Sequence, residues 1–517
     1  MKTKTRCAFF TALPFLFASI TGSAIAADSS YYSEPLRPQY HFTPEKNWMN
    51  DPNGLVYYEG EYHLFYQYNP FGNQWGHMSW GHAVSPDMVH WKHLPLALPE
   101  ADGVMIFSGS AVVDWHNSSG FGKNGKPPIV AIYTGYRPSD NLQFQCIAYS
   151  NDKGRTWTKY SGNPVIDINS RDFRDPKVQW HEPARRWIMT VSLSAEHKVR
   201  FYASTNLKQW VLLSEFGPAG ATGGSWECPD LFRLPVAGTI ASRWVLTVNT
   251  GSGSVAGGTG GQYFVGQFDG AHFVGDSNSL GKAPLWFDYG PDYYAAVSWG
   301  NIPRSDHRRL WLGWMSNGQY GQQVPTSPWR SEMSIPREVG LRQTIDGIRL
   351  TQNPVKELAS LRGKHFQFKG GDIARANDWL VKNKIQGKQL ELALEFPPQS
   401  SGIEGVKVLK GATEETLIGV DRDRGTVFVD RTHSGNVGFN PNFPGIYHAP
   451  LTSRDGKVKL RVFVDACSVE VFIDDGDKVF TVLVYPSAAS RGVEFFGTPN
   501  AATIQLCQIW NLRSIWK

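Results

Sequence analysis

This chain is poor in cysteine, in excess charge of either sign and in long apolar runs, and each shortage closes off a class of function. Five cysteines in 517 residues, with no C-x-x-C spacing and no His, Cys and acid pattern at metal-ligand intervals, give no basis for a zinc site. No metal and no cofactor is expected. The formal net charge is +5 with 19% charged residues, too little excess to hold nucleic acid or an anionic membrane, so neither is an expected partner. The clearest apolar run, residues 8–20, is too short to cross a bilayer. It follows Lys2, Lys4 and Arg6 and precedes Ala24-Ile25-Ala26, an A-x-A cleavage signature. Residues 1–26 therefore read as a secretory signal peptide, and the mature protein as secreted or periplasmic. Cleavage there removes three positive charges and no negative ones, lowering the net charge to +2. It also removes Cys7 and leaves Cys146, Cys228, Cys467 and Cys507, of which Cys467 and Cys507 could pair in an oxidising compartment. Cys228, between Glu227 and Pro229, reads as a small buried neighbour of the acid before it.

Nucleotide signatures are missing too. Gly120 to Lys126 fits G-x-x-x-x-G-K, but Pro127 stands where a magnesium-binding hydroxyl is needed and no helical pattern follows. Gly251 to Ala256 imitates a dinucleotide fingerprint, yet more glycines follow instead of a helix. His77 and His82 lack the H-E-x-x-H spacing and read as hydrogen-bonded strand or loop residues.

What the chain has in plenty is aromatic side chains, 19 Trp, 20 Tyr and 29 Phe. Most suit β-sheet core, and a Trp-rimmed cavity also grips the apolar faces of sugar rings. The aromatics recur with a pattern. From about residue 45 to 320 a unit repeats five times: a polar start, a short apolar strand, a turn, and a second aromatic-rich strand. The starts fall at Asn53, Ser108, Asp175, Pro229 and Tyr294, separated by 55, 67, 54 and 65 residues. Such spacings are too long for a hairpin meander and lack helical periodicity, so they predict an all-β chain whose residues 36–350 form a five-bladed β-propeller. After residues 351–365, read as a connector, apolar and polar residues alternate in segments such as QLELALEF and KVFTVLVYP. Residues 366–517 are accordingly expected to form a β-sandwich, more a structural support than a carbohydrate-binding unit.

Three acids stand at repeat starts: Asp51 in WMNDPNG, Asp175 in FRDPKV and Glu227 in WECPDLF. Each is followed within two positions by proline, which a first strand residue tolerates because it needs no ladder donor. Asp-Pro alone is ordinary turn chemistry, but three in register with a blade repeat bring the carboxylates to one axis. Acids in an aromatic-lined funnel fit glycosidic bond cleavage, which needs one carboxyl group to protonate the leaving oxygen and another to attack or stabilise the sugar cation. Two neighbouring carboxylates make a third resist losing its proton, as a general acid requires.

These segments, with Phe107-Ser-Gly-Ser110 and WGHMSWGHAVSPDMVHW at 75–91, resemble glycoside hydrolase family 32, the β-fructosidases that include invertases, inulinases and levanases. SVEVFIDDG at 468–476 resembles the family's sandwich, so the likeness spans nearly the whole mature chain. The resemblance implies Asp51 as nucleophile, Glu227 as general acid and base, and Asp175 as transition-state stabiliser. It further implies that Asn50, Gln67, Trp75, Phe107, Ser108 and Arg174 line a fructose pocket, and that the substrate is a fructan or fructooligosaccharide such as levan, inulin or sucrose. One departure stands out: family members commonly carry a tryptophan where this chain has Gly318, which implies a wider pocket unless an aromatic such as Trp299 or Trp329 fills the space. Endo-attack and fructosyl transfer remain open alternatives, and a binding propeller without catalysis is the rival from another class.

Overall fold

The computed structural model describes Met1 and residues 31–281, 283–452, 455–499 and 501–516. Apart from Met1, the expected signal peptide lies outside the described residues. Among these residues no helix is long and apolar enough to cross a membrane.

The chain is all-β. Five strands each open an antiparallel run: β1 (Asn47–Tyr58), β2 (Met105–Val113), β3 (Phe173–His181), β4 (Trp226–Ala237) and β5 (Tyr294–Ser298). From β1 the ladder continues outward through Glu61–Asn69, Ser79–Ser85 and Lys92–Leu98, and the other four runs likewise place three strands after the first. The last two runs are not separate, because Val236 and Ala237 of β4 pair in parallel with Leu341 and Arg342 and fuse them into one nine-stranded sheet. β1 also takes a parallel neighbour from far along the chain, Trp329–Arg330.

These opening strands contact one another in cyclic order, β1 on β2, β2 on β3, β3 on β4, β4 on β5, and β5 on β1. Apolar clusters fill the space between neighbours. Phe65 and Trp80 pack with Ile106 and Tyr133, Val130 with Val178 and Trp187, and Phe201 with Trp226 and Leu246. Phe232 then packs with Trp311, and Trp314 and Tyr294 with Trp48 and Leu64. Because each sheet is covered on two faces, its inner strands are buried nearly throughout, as Ser79–Ser85 is at every residue, its polar Ser79, His82 and Ser85 included. Burying an aromatic side chain of this size removes some 150–250 Å² from water, so such wedges dominate the stabilisation.

Beyond residue 360 two antiparallel sheets face each other. One has six strands in the order Arg362–Phe368, Leu506–Leu512, Leu390–Phe396, Val458–Asp465, Ser468–Ile473 and Lys478–Leu483. The other has five: Ile446–Pro450, Thr426–Asp430, Thr416–Asp421, Ile403–Lys410 and Gly492–Gly497. Leu392, Val406, Val427, Val462 and Ile509 lie fully buried between them. The α-helix Ile373–Lys382, which strand alternation did not anticipate, is capped by Asp372 and buries Ala376 and Leu380, four residues apart on one face. The expected connector at 351–365 is packed rather than loose. It finishes the strand Gly347–Pro354, forms a 3-10 helix at Lys356–Leu361 that buries Leu358 and Leu361, and enters the strand Arg362–Phe368.

Cys467 and Cys507 do not pair; both are free and buried, as are Cys146 and Cys228. Cys507 sits opposite Leu394, whose other neighbour is Leu460, whereas Cys467 lies in the turn beyond Asp465. Five residues of strand from Leu460 to Asp465 separate the two by on the order of 15 Å, well past the Cα spacing of about 7 Å that a disulfide allows. Fully buried ion pairs join the two groups of sheets. Arg337 binds Asp288 at 3.0 Å and Glu470 at 2.5 Å, and His41 bridges Asp465 at 2.8 Å and Glu470 at 3.1 Å.

Candidate active site

Each opening strand breaks its pairing register close to its start: between Met49 and Pro52, Ile106 and Gly109, Arg174 and Lys177, Glu227 and Asp230, and Tyr294 and Val297. Such bulges re-aim side chains, here at the end where the five strands converge. Three residues at the breaks, Asp175 (φ +67°), Cys228 (φ +46°) and Ala295 (φ +53°), adopt left-handed backbone that costs a non-glycine residue about 1 kcal/mol or more. With Pro52, Pro176 and Pro229 as a common mark, the three acids are not equivalent. Cys228 occupies the place of Asp51 and Asp175, while Glu227 stands one residue earlier, level with Asn50 and Arg174. That offset is the one correction to the repeat reading of the site.

The offset decides what touches what. Asp51 accepts hydrogen bonds from Ser108 Oγ at 2.6 Å and Asn50 Nδ2 at 3.1 Å, and Trp48 Nε1 holds the Asn50 amide oxygen at 2.7 Å so that its NH2 faces the acid. Asp175 Oδ2 accepts the backbone N–H of Cys228 at 2.9 Å. The Cys228 sulfur lies 3.6 Å from Asp51 Oδ2 and 3.6 Å from Asp175 Oδ2, so the two carboxylates flank one thiol. Glu227 is held from two sides. Arg174 Nη2 donates to Oε1 at 2.7 Å with Ser225 Oγ at 3.2 Å, and the Tyr294 hydroxyl makes a short hydrogen bond to Oε2.

Burial pushes Asp51 above the usual carboxylate range; the Ser108 and Asn50 hydrogen bonds pull it back, and the charge of Glu227 pushes it further up. Asp175 rises to about 7 because burial, with Glu227 and Asp51 nearby, outweighs Arg174. Arg174 is held firmly protonated, since Glu227 and Asp175 overcome its desolvation. Burial and the same acids raise Cys228 well above an ordinary thiol, so the sulfur is a neutral hydrogen-bond donor and not a thiolate.

Above the acids opens a cavity of about 480 Å³, room for a sugar unit and the start of the next. Asn50, Asp51, Gln67, Trp75, Phe107, Ser108, Arg174, Asp175 and Glu227, the residues singled out from sequence, all line it. Phe107 stacks on Tyr136 with centroids 4.6 Å apart and meets the edge of Trp75 at 6.0 Å, building an aromatic wall. Tyr294, which the sequence reading used only to mark a repeat, also lines the cavity. Its position at the fifth start was the available signal. Trp48, the first residue of WMNDPNG, lines it too, and Asn141, Gln143, Arg171 and Gln322 add to the walls from loops and strand ends whose sequences carry no such mark.

Gly318 is on the wall, where an added Cβ would meet Thr259 Cγ2 at 3.0 Å. Neither proposed substitute fills that space. Trp299 is fully buried with its indole N–H on the His63 carbonyl, and Trp329 lies 3.8 Å beneath the Arg37 guanidinium. Trp314 lines the cavity, 5.9 Å from Trp48. His77 and His82 stay outside it, bonded to Glu100 and His63 respectively.

Comparison with known proteins identifies the family of the chain. The glycosyl hydrolases family 32 N-terminal domain matches residues 41–354, and the family 32 C-terminal domain matches residues 357–511. A levanase of Bacillus subtilis is 53% identical over 97% of this chain and 74% of its own length. An extracellular exo-inulinase of Aspergillus awamori is 41% identical over 94% of this chain and 96% of its own. Its crystal structure superposes with a TM-score of 0.87, covering 94% of this chain and all of that one at 40% identity. A β-fructofuranosidase from Schwanniomyces occidentalis, complexed with fructosyl-erythritol, has a TM-score of 0.84 at 34% identity, covering 95% and 99% of the two chains. On these matches and the carboxylate-lined cavity, the chain belongs to glycosyl hydrolase family 32 and is a glycosidase.

Proposed function

We propose that this protein is an exported, retaining β-fructosidase that removes terminal fructose from β-2,6- or β-2,1-linked fructans and from sucrose. In this reading residues 36–350 close into a five-bladed β-propeller and residues 366–517 are a β-sandwich behind it. The observation that carries the proposal is the convergence of Asp51, Asp175 and Glu227 on one cavity walled from all five opening strands. A pit closed at its base by carboxylates admits a chain end more readily than a chain middle. The cyclic packing of β1 to β5 supports the closed propeller. The basic, then apolar N-terminus and the extracellular character of the Aspergillus relative support export.

Asp51 is the nucleophile. Its carboxylate, aligned by Ser108 and Asn50, forms a bond to the anomeric carbon as the glycosidic C–O bond breaks, and Glu227 gives its proton to the departing oxygen. Water then attacks the fructosyl-enzyme, Glu227 takes the proton back, and Asp51 leaves, so configuration is retained. Asp175 accepts hydrogen bonds from sugar hydroxyls, which tighten as the ring gains positive charge. Arg174 and Tyr294 fix the Glu227 carboxyl group in the plane this transfer needs.

Incubation with levan, inulin and sucrose, followed by chromatography of the products, tests the reading. Free fructose is expected as the main product. A ladder of oligomers would replace exo-action with endo-attack, longer products would point to transfer, and no release from any substrate would leave only the binding propeller.

A further inference from the structure

The wall segment that carries Gly318 is held from behind by the sheets beyond residue 360. Segment Asn317–Gln323 includes the one-turn helix Gly321–Gln323, and its cavity-lining members are Gly318, Gly321 and Gln322. Arg431, with no exposed surface, donates to the Tyr320 hydroxyl at 2.8 Å and to Asp292 Oδ2 at 2.6 Å, while Tyr320 donates to Asp292 Oδ1 at 2.5 Å. The same guanidinium lies 3.8 Å over the Phe443 ring. Asn440 holds the segment a second time, through the Gln319 carbonyl at 3.3 Å and Gln323 Oε1 at 2.7 Å. On its front side the segment holds the rim. Gln322 Oε1 accepts the backbone N–H of Trp75 at 3.3 Å, and the Gln322 carbonyl accepts Gln74 Nε2 at 3.2 Å.

We infer that Arg431 and Asn440 are positioning residues of the sugar site. They fix the Tyr320–Gln323 turn, which in turn fixes Trp75 at the cavity mouth, so the C-terminal sheets set the shape of a pocket they do not line. On the pocket side the segment is tied by Asn317, which donates to the Pro291 and Gly257 carbonyls, and by the Gly318 N–H, which donates to Thr259 Oγ1; the brace adds the hold at Gln319, Tyr320 and Gln323. Trp75, exposed at the rim, holds the sugar without taking part in bond making and grips ground state and transition state alike, so loosening it raises KM and leaves kcat nearly unchanged. This kinetic consequence rests on the fructosidase reading; the mechanical one does not.

Asn440→Ala and Tyr320→Phe each cut one arm of the brace while keeping buried apolar volume. Hydrogen exchange at the Trp75 amide, followed without substrate, should quicken about tenfold in either variant, with the sandwich strands unchanged. With sucrose or a short fructan, KM should rise roughly 3- to 10-fold and kcat stay within about twofold. Trp75 exchange equal to wild type in both variants would overturn the proposal. Exchange that quickens throughout the sandwich as well would also overturn it, by showing general loosening. A wild-type protein that hydrolyses no fructoside would defeat the functional reading while the exchange measurement still judged the brace.

Discussion

Two of the buried clusters of charge in this molecule are built on opposite principles. In the pit, Arg174 binds Glu227 at 2.7 Å and partly offsets the charge of Asp175 without bonding to Asp51, and burial carries Asp51 and Asp175 upward. Between the two groups of sheets, Glu470 faces both Arg337 and His41, and despite full burial it is held below the usual carboxylate range. His41 gains in return; burial opposes its charge, but Asp465 and Glu470 lift it to about 10. Asp288, which meets only Arg337, lies between these cases and is pushed up to about 6. Cations per carboxylate, and not depth of burial, separate the acids. The matched cluster around Glu470 joins the two groups of sheets, whereas acids short of cations hold their protons to higher pH.

The comparison breaks most visibly in the pit. Asp51→Asn and Glu227→Gln should each lower turnover by about a thousandfold or more, with thermal unfolding scarcely moved. Near-normal steady-state rates in either would remove the role assigned to that residue. The matched cluster should behave in the reverse way. Arg337→Met leaves Glu470 and Asp288 buried without their common partner and should cost about 3–5 kcal/mol in denaturant unfolding, with kcat per folded molecule unchanged. A destabilisation below 1 kcal/mol would show that the cluster does not fasten the sheets.

pH dependence sharpens the contrast. Asp175 binds its proton more tightly when folded, so its ionisation weakens the native state progressively as pH rises from about 4, the unfolded value, to about 7. Asp175→Asn should therefore be inactive yet more stable than wild type at pH 7, by on the order of 2 kcal/mol, with the gap closing toward pH 4. A gap that stays constant across that range would contradict the assigned direction. The smallest effect belongs to Ser108→Ala. Losing the 2.6 Å hydrogen bond that favours ionised Asp51 should move the acidic limb of the kcat/KM profile upward by roughly half a pH unit. A limb that shifts downward would refute it.

Much of the site was written in the chain. The Asp-Pro and Glu-Cys-Pro starts placed the acids at one end of repeated strands, because proline is tolerated at a strand's beginning or at a bulge and the repeat fixes where beginnings lie. Tyr294 was legible by the same logic. Asn141, Arg171 and Gln322 were not, since they reach the cavity from connections whose lengths vary and whose path depends on what they pack against. The Cys467–Cys507 pairing failed for a related reason: two cysteines in one region of sequence say nothing about which ends of a sheet they occupy.

Local composition and period alone determined that this is an all-β chain with repeated strand starts bearing carboxylates, since alternation, turn residues and proline position act over a few residues. Only the folded molecule decided that the Cys228 sulfur lies between Asp51 and Asp175, that Arg174 binds Glu227, and that Arg431 holds Tyr320 behind the pocket wall. Those facts depend on where bulges shift the register and on contacts between residues 53 to 177 positions apart, and short-range pattern carries no record of either.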